Sequence, residues 1–303
     1  MSGHTPISIV MRSKNDAALI GATLRAVHAQ DYRGGFELIH IDSGSTDGTV
    51  KIIKSFHPAK LIEIPAGDYV PGVVLNRGMR ESRSEWVVFL NSDCEPTDEQ
   101  WLSELVNAAR SSAMAGSAFG RQMPRPDCQA VYAHDYDRCF GPNRESRNWD
   151  HFFSMASSVV RRRAWEQEPF REDLQYSEDD EWSRRLISKG WGVLYVADSA
   201  VLHSHNYTLR QAFRRAYGEA FALAALETEP EDRYGYMRTV VGGGLREWMR
   251  DLKYCVKTGR ILEAPHALAV RVAQRLGKVK GFRHGWSHYQ REPRILSAAP
   301  TPA

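Results

Sequence analysis

Four short apolar segments, at residues 7–11, 36–41, 61–64 and 86–90, alternate with stretches whose apolar residues recur at helical spacing. This alternation constrains the fold more than any other property of the chain. Strands interleaved with helices assemble as a parallel sheet flanked by those helices. Segment 86–90 is apolar throughout, as a strand covered on both faces must be. Helices are expected at 16–30, where Leu19, Ile20, Leu24 and Val27 recur, at 46–55, at 75–82, and at 99–111 with Trp101, Leu102, Leu105 and Val106 on one side. In such sheets ligands bind beyond the carboxyl ends of the strands. Asp42 and Asp93 both stand just past a predicted strand.

Residues 121–176, with Pro124, Pro126, Gly141 and Pro142, read as irregular. A helix is expected again at 178–188 and a strand at 193–196. Beyond His205 the chain reads mainly as helices. Leu245, Trp248, Met249, Leu252 and Val256 share one helical face, with Arg246, Arg250, Lys253 and Lys257 as polar neighbours. Leu268, Val272, Leu276 and Val279 repeat the pattern, with Arg271, Arg275 and Lys278 between them. Residues 297–303 read as disordered, and no internal repeat is evident.

A chain of 303 residues accommodates one large α/β domain with an appendage. No apolar run approaches a membrane-spanning length, and the N-terminus lacks the pattern of a secretory signal. Cys94, Cys128, Cys139 and Cys255 form no CxxC pair, so thiols in a reducing, cytoplasmic setting are expected. From Asn206 onward 17 Lys and Arg stand against 9 Asp and Glu, although the whole chain carries only +3. An acidic first part is therefore joined to a basic tail. Metal chemistry suits the first, and an anionic surface the second.

Four polar segments carry the candidate chemistry. In DSGSTDGT, Asp42 can accept from a nucleobase N–H or a ribose hydroxyl, while Ser45, Thr46 or Asp47 is expected to cap the following helix. No GxGxxG and no GxxxxGK[ST] occurs, and the loop lacks the oxygen ligands of an EF-hand. In NSDCEP, Asp93 either holds a hard divalent cation, Mg²⁺ or Mn²⁺, or caps the helix near 97–100. Glu178, Asp179, Asp180 and Glu181 form either an acidic helix start favoured by the dipole or the source of a general base. Arg184 or Arg185 can pair with an outward acid or a phosphate. His203 and His205 point to one side if their segment is extended, and each is a structural or a metal-binding candidate.

The order of these segments resembles a family 2 glycosyltransferase of the GT-A type, in its bacterial rhamnosyltransferase-like branch. The resemblance covers about residues 5–220. It rests on DSGSTDGT, FLNSDCEP, YSEDDEWSRRL and VLHSHNYTL, with LNRGM around Asn76 and GRQMP at 120–124 in support. It implies a Rossmann-like GT-A fold, mostly parallel, with a helical C-terminal extension. The implied domains are a catalytic domain at 1–220 (nucleotide-binding half 1–120, acceptor-binding half 121–220) and a basic helical region at 221–296. The implied reaction is an inverting transfer of a sugar from a nucleotide diphosphate, dTDP-rhamnose being one candidate donor. The acceptor would be a hydroxyl of a glycan or lipid-linked molecule in cell-surface polysaccharide synthesis. By the same resemblance Asp179 is the base, with Asp180 competing. Asp42, Ser43, Gly44, Asn91 and Arg12 form the donor-binding set. Asp93 and His203, then His205, are the metal or diphosphate contacts. The first Asp of the family's DxD is Asn91 here, which withholds one charge from the metal.

Two rival readings accompany this one: a catalytically inactive sugar-nucleotide-binding scaffold, and a nucleotidyltransferase. The first wants a missing base, yet Asp179 and Asp180 are present. The second wants a Gly-rich segment after the first strand, where Met11-Arg12-Ser13-Lys14 stands instead. The basic helices are read as closing over the catalytic domain, as a homodimer contact, or as a peripheral contact with the inner face of the cell membrane. Nucleic acid is not an expected partner.

Overall fold

The first half of the chain runs β1 (Ile7–Ser13), α1 (Ile20–His28), β2 (Phe36–Asp42), α2 (Thr49–Ser55), β3 (Lys60–Glu63), α3 (Pro71–Glu81) and β4 (Trp86–Asn91). There follow β5 (Glu95–Pro96), α4 (Trp101–Arg110), β6 (Ala115–Met123), α5 (Ala130–Phe140), β7 (Ser157–Arg161), α6 (Arg162–Gln167), α7 (Glu178–Ser188) and β8 (Gly192–Leu202). The last helices are α8 (Leu209–Leu223), α9 (Gly244–Lys257) and α10 (Ala264–Arg291). This computed structural model describes residues 6–149, 151–226 and 241–291. The expected disordered tail at 297–303 and part of the expected helical region at 221–296 lie outside the described residues.

The eight strands of the described residues form one sheet in the order β3-β2-β1-β4-β7-β6-β8-β5. From β3 to β4 every pairing is parallel, as the strand–helix alternation requires. Beyond β4 the sheet is mixed. β7 runs antiparallel between β4 and β6, β8 is parallel to β6, and β5 is antiparallel at the edge. The stretch 121–176 is not irregular as expected, since it holds the end of β6, α5, β7 and α6. Its prolines and Gly141 fall between these elements and punctuate them.

Alternate residues of β1 show why the sheet needs two covers. Ile7, Ile9 and Met11 pack with Ile20 and Leu24 of α1 and with Trp101 and Leu105 of α4. Val10 points the other way, into a core with Val74, Leu75 and Met79 of α3 and with Trp182 and Leu186 of α7. Each such side chain, fully buried, contributes roughly 1.5–3 kcal/mol. Asn76 of α3 is buried and fully engaged. Its amide donates to the Phe170 carbonyl and Glu172, and its oxygen accepts from Trp165 Nε1 and Phe170 N. It clamps the stretch leading to α7.

The chain divides into two compact units: residues 1–126, 136–174 and 178–204 in one, and 127–135, 175–177 and 205–303 in the other. The first contains the whole sheet. In the second, α8 starts with a capping box, Thr208 accepting from Gln211 N while the Gln211 side chain takes the Thr208 N–H. α8 and α10 run so close that a Cβ at Gly277, Gly281 or Gly285 would stand 2.4, 2.2 or 2.5 Å from the carbonyl oxygens of Phe213, Tyr217 and Phe221. Ala212, Ala216, Ala220 and Ala224 supply a matching small-residue row on α8. This four-residue period escaped the sequence reading.

Polarity in the second unit also runs against the expected pattern. Arg271, expected as a polar neighbour, is buried and forks onto Asp251 and Asp135, while His134 Nδ1 meets Asp251 at 2.7 Å. Two acids from other segments compensate the guanidinium, which makes its burial tolerable. Leu245, Met249, Val256, Leu268 and Val272 are exposed instead, and Asp251 and Cys255 face inward. Among the described residues no helix is long and apolar enough to cross a membrane.

Candidate active site

Asp42 ends β2 fully buried, with both carboxylate oxygens occupied. Oδ1 accepts from Ser45 N at 2.8 Å; Oδ2 accepts from Ser13 Oγ at 2.7 Å and Ser45 Oγ at 2.6 Å. The loop that follows bends through Gly44 at φ +74°, where a Cβ would come within 2.9 Å of Ala66 N. Ser43 is buried beside it and bonded to Ser13 O, and Lys14 Nζ donates to Ser43 O. The expected side-chain cap on α2 is absent. Gly48 occupies the N-cap at φ +97°, and Asp47 accepts from Thr49 N two residues on. Asn15 ties the β1 end to this loop, taking Thr46 N on Oδ1 and giving its N–H to Ser45 Oγ.

At the neighbouring strand ends Asp93 and His203 converge. His203 Nε2 lies 3.6 Å from Asp93 Oδ2, and Cys94 Sγ completes a group within 4.8 Å. The other imidazole nitrogen, Nδ1, is 2.7 Å from Gln122 Oε1, whose amide in turn donates to Ser154 Oγ. An amide oxygen can only accept, so Nδ1 carries a proton and Nε2 is the nitrogen that faces Asp93. A metal-binding histidine is oriented in this way. The residues therefore fit a divalent cation. Asp93 does not cap α4; Asp98 accepts the Gln100 N–H instead. Burial raises the Cys94 thiol well above its ordinary range, and a hard Mg²⁺ or Mn²⁺ prefers the oxygen and imidazole donors beside it.

Of the four acids that open α7, three meet a cation. Glu178 Oε1 is 3.9 Å from Arg12 Nη1, Asp180 takes Arg184 Nε at 3.0 Å, and Glu181 takes Arg185. Among the described residues Asp179 has no cationic partner. Loss of solvent, then the Glu178 charge, push its carboxyl up to about 7, against the pull of backbone bonds from Asp180 and Met155. A carboxylate tuned near neutrality suits proton abstraction. Ser177, just before the helix, holds φ +60°, a strained conformation for a residue with a Cβ.

Arg12, Asn91, Asp42, Asp93, Asp179, Asp180 and His203 all belong to the sheet-containing unit. Arg12 joins two of the segments, since its Nη2 donates to Asn91 Oδ1 at 2.8 Å. His205 does not join the metal-ligand group; its ring stacks on Tyr207 at 5.4 Å. The extended pairing that would align it with His203 stops at Leu202, where β8 ends. Three participants were missed from sequence. Gln122 sets the His203 tautomer. Asp16, pushed up by burial, accepts from Ser92 Oγ near Asp93. Arg125 donates to Asp93 O and Leu202 O, and pairs with Glu95. The strand-end position of Gln122, two residues before Pro124, was the available signal for the first.

Several proteins to which this chain is similar are named glycosyltransferases. At 27% identity over 268 residues the chain is similar to the O-antigen chain rhamnosyltransferase WbaN of Salmonella anatum, covering 85% of this chain and 81% of that protein. It is 26% identical over 298 residues to the O-antigen chain rhamnosyltransferase RfbN of Salmonella typhimurium, covering 95% and 91%. In fold it matches the mannosyltransferase PcManGT of Pyrobaculum calidifontis, solved with GDP-Man and Mn²⁺, at a TM-score of 0.59 with 18% identity over 95% of this chain and 87% of that one. The sheet and its flanking helices are those of the GT-A fold. The model of glycosyl transferase family 2 matches residues 8–168, more than half the chain. The protein is an enzyme of nucleotide-sugar transfer, which sets aside the inactive-scaffold and nucleotidyltransferase readings, and it belongs to glycosyl transferase family 2.

Proposed function

We propose that this enzyme inverts the anomeric centre of a nucleotide-diphosphate sugar, with Asp179 as the base. The carrying observation is that Asp179 is the acid of α7 that meets no cation among the described residues, with a carboxyl raised to about 7. The acceptor O–H gives its proton to the Asp179 carboxylate as its oxygen bonds to the anomeric carbon. The bond from that carbon to the diphosphate breaks on the opposite side, and its electron pair leaves with the nucleoside diphosphate. Asp180, committed to Arg184, is the weaker candidate for this role.

Asp93 and His203 are the residues that would hold Mg²⁺ or Mn²⁺, with His205 outside that set. A bound divalent ion neutralises charge gathering on the departing diphosphate. Asp42, with Ser43 and Gly44, forms the nucleoside end of the donor site, and Arg12 and Asn91 form its diphosphate and ribose end. Residues 1–120 serve the donor and 121–220 the acceptor. The names of the similar Salmonella enzymes support a rhamnosyl donor and an acceptor in O-antigen-type polysaccharide synthesis. Within that reading we take dTDP-rhamnose as the donor and a lipid-linked glycan at the inner face of the cell membrane as the acceptor.

Thermal shifts against nucleoside diphosphates and their sugars, with and without Mn²⁺, test the donor. Stabilisation by dTDP and dTDP-rhamnose above UDP and GDP forms is expected. A larger shift with a UDP- or GDP-sugar overturns the donor, and a retained anomeric configuration in the product overturns the mechanism.

A further inference from the structure

Helix α9 has three faces. Gly244, Asp251 and Cys255 point inward. At about 100° per residue, Leu245, Met249, Leu252 and Val256 fall on a second face, and Arg246, Arg250, Lys253 and Lys257 on a third beside it. The second face is apolar and outward, Val256 being 64% exposed; Leu252 is partly covered. The turn after the helix adds Ile261 and Leu262, the latter 92% exposed. An apolar row this long is unusual on a protein surface that meets only water.

We propose that this face of α9, with Ile261 and Leu262, docks on an anionic lipid surface, the apolar row entering the headgroup layer and the basic row meeting phosphates. Charge complementarity favours lipid over a second copy of the chain. Both acids of the helix are already committed, Glu247 to Arg275 and Asp251 to Arg271 and His134. A second copy would bring its own basic row to the contact, and this helix has no acid left to receive it. Arg246, Lys253 and Lys257 have no ion-pair partner among the described residues, and lipid phosphates would supply one. An amphipathic helix with cations flanking an apolar stripe lies in the plane of such a surface. The inference deepens the reading of a lipid-linked acceptor, and its deciding measurement is vesicle binding, which needs no transfer.

The full chain is sedimented with vesicles of phosphatidylglycerol and phosphatidylethanolamine, and separately with phosphatidylcholine vesicles. Pelleting with the first and not the second is expected, weakened by salt. Lys253→Glu/Lys257→Glu should lower partitioning by about tenfold or more. Val256→Asp/Leu262→Asp should lower it similarly, and thermal unfolding unchanged in Leu262→Asp alone shows that the fold is intact. Transfer to a short water-soluble acceptor stays at the parent level in both variants. Failure of the parent to pellet with the anionic vesicles overturns the proposal, as does undiminished pelleting of both double variants. A parent dimer in light scattering that Val256→Asp/Leu262→Asp dissolves assigns the face to a second copy and also overturns it. Loss of donor binding or of inversion would refute the proposed reaction and leave these results untouched.

Discussion

Arg12 Nη2 donates to Asn91 Oδ1 across 2.8 Å, and Nη1 of the same guanidinium lies 3.9 Å from Glu178 Oε1. With its oxygen turned to Arg12, Asn91 can offer a ligand its N–H groups as donors. A carboxylate at 91 would have set a second anion against Arg12; the amide leaves the Glu178 carboxylate of α7 as its ion-pair partner.

Asn91→Asp reverses both effects. It should tighten Mn²⁺ binding by about tenfold, since charge count sets affinity for hard cations. It should also weaken nucleoside diphosphate binding in the presence of chelator, because Arg12, already facing Glu178, acquires a second and closer anion. Isothermal titration measures both; unchanged Mn²⁺ affinity would place residue 91 outside the ion's reach.

The raised Asp179 carboxyl sets the pH response. Transfer should rise with pH to a plateau above about 7, where the base is ionised. Asp179→Asn should lose about 10²–10⁴-fold in kcat while retaining donor binding. Asp180→Asn should lose far less. Equal losses in the two variants would reopen the choice of base.

The same group links activity to stability. Its ordinary pKa of 3.8 is raised to about 7 on folding, so between those values the folded chain keeps a proton that the unfolded chain has released. Stability therefore falls as pH climbs through that window. Above about pH 7 Asp179→Asn should be the more stable protein, by on the order of a few kcal/mol, and at low pH the difference should vanish. Denaturation at the two pH values reads this directly; a variant less stable at both would contradict it.

Gln122→Met keeps the volume beside His203 and removes the nearer acceptor of Nδ1–H, leaving the Tyr136 hydroxyl at 3.4 Å. Mn²⁺ affinity should fall by about 10–100-fold, the usual cost of losing an outer-shell partner. Donor affinity measured in chelator should not change. A variant with parent-level Mn²⁺ affinity would show that the tautomer is set elsewhere.

In α10, Gly281→Val places branched carbon where a Cβ already comes within 2.2 Å of the Tyr217 carbonyl oxygen. A backbone atom cannot swing aside as a side-chain tip can. The helical unit should lose about 1–3 kcal/mol or more, seen in thermal unfolding. Gly259→Ala, with open space around it, should pack without a clash and differ only through its positive φ.

The sheet-forming half was legible because its strands are apolar runs bounded by turn residues, and segment 86–90 became β4 with one residue added. The start of α7 was read at Glu178 from its acid cluster, and the helix begins there. β7 was missed because Ser157 and Ser158 break its apolar run, although both are buried. In α9 and α10 helical spacing was visible, but spacing does not say which face is covered. Asp251 and Arg271 bury each other through partners far away in sequence. The site divided along similar lines. Asp42, Asp93 and Asp179 stand at element ends, which local sequence reveals. The Gln122–His203 bond spans 81 residues, and no local pattern carries it.

Because Ser13 and Ser45 already satisfy the Asp42 carboxylate, the strand-end loop holds its shape with nothing bound. Whatever enters meets a rigid rim, so none of its binding energy is diverted into ordering that loop. Capture should then proceed in one kinetic phase whose rate is linear in ligand concentration. Selectivity between nucleotides arises from fit to a finished contour, without the slow adaptation that a pliant loop would add.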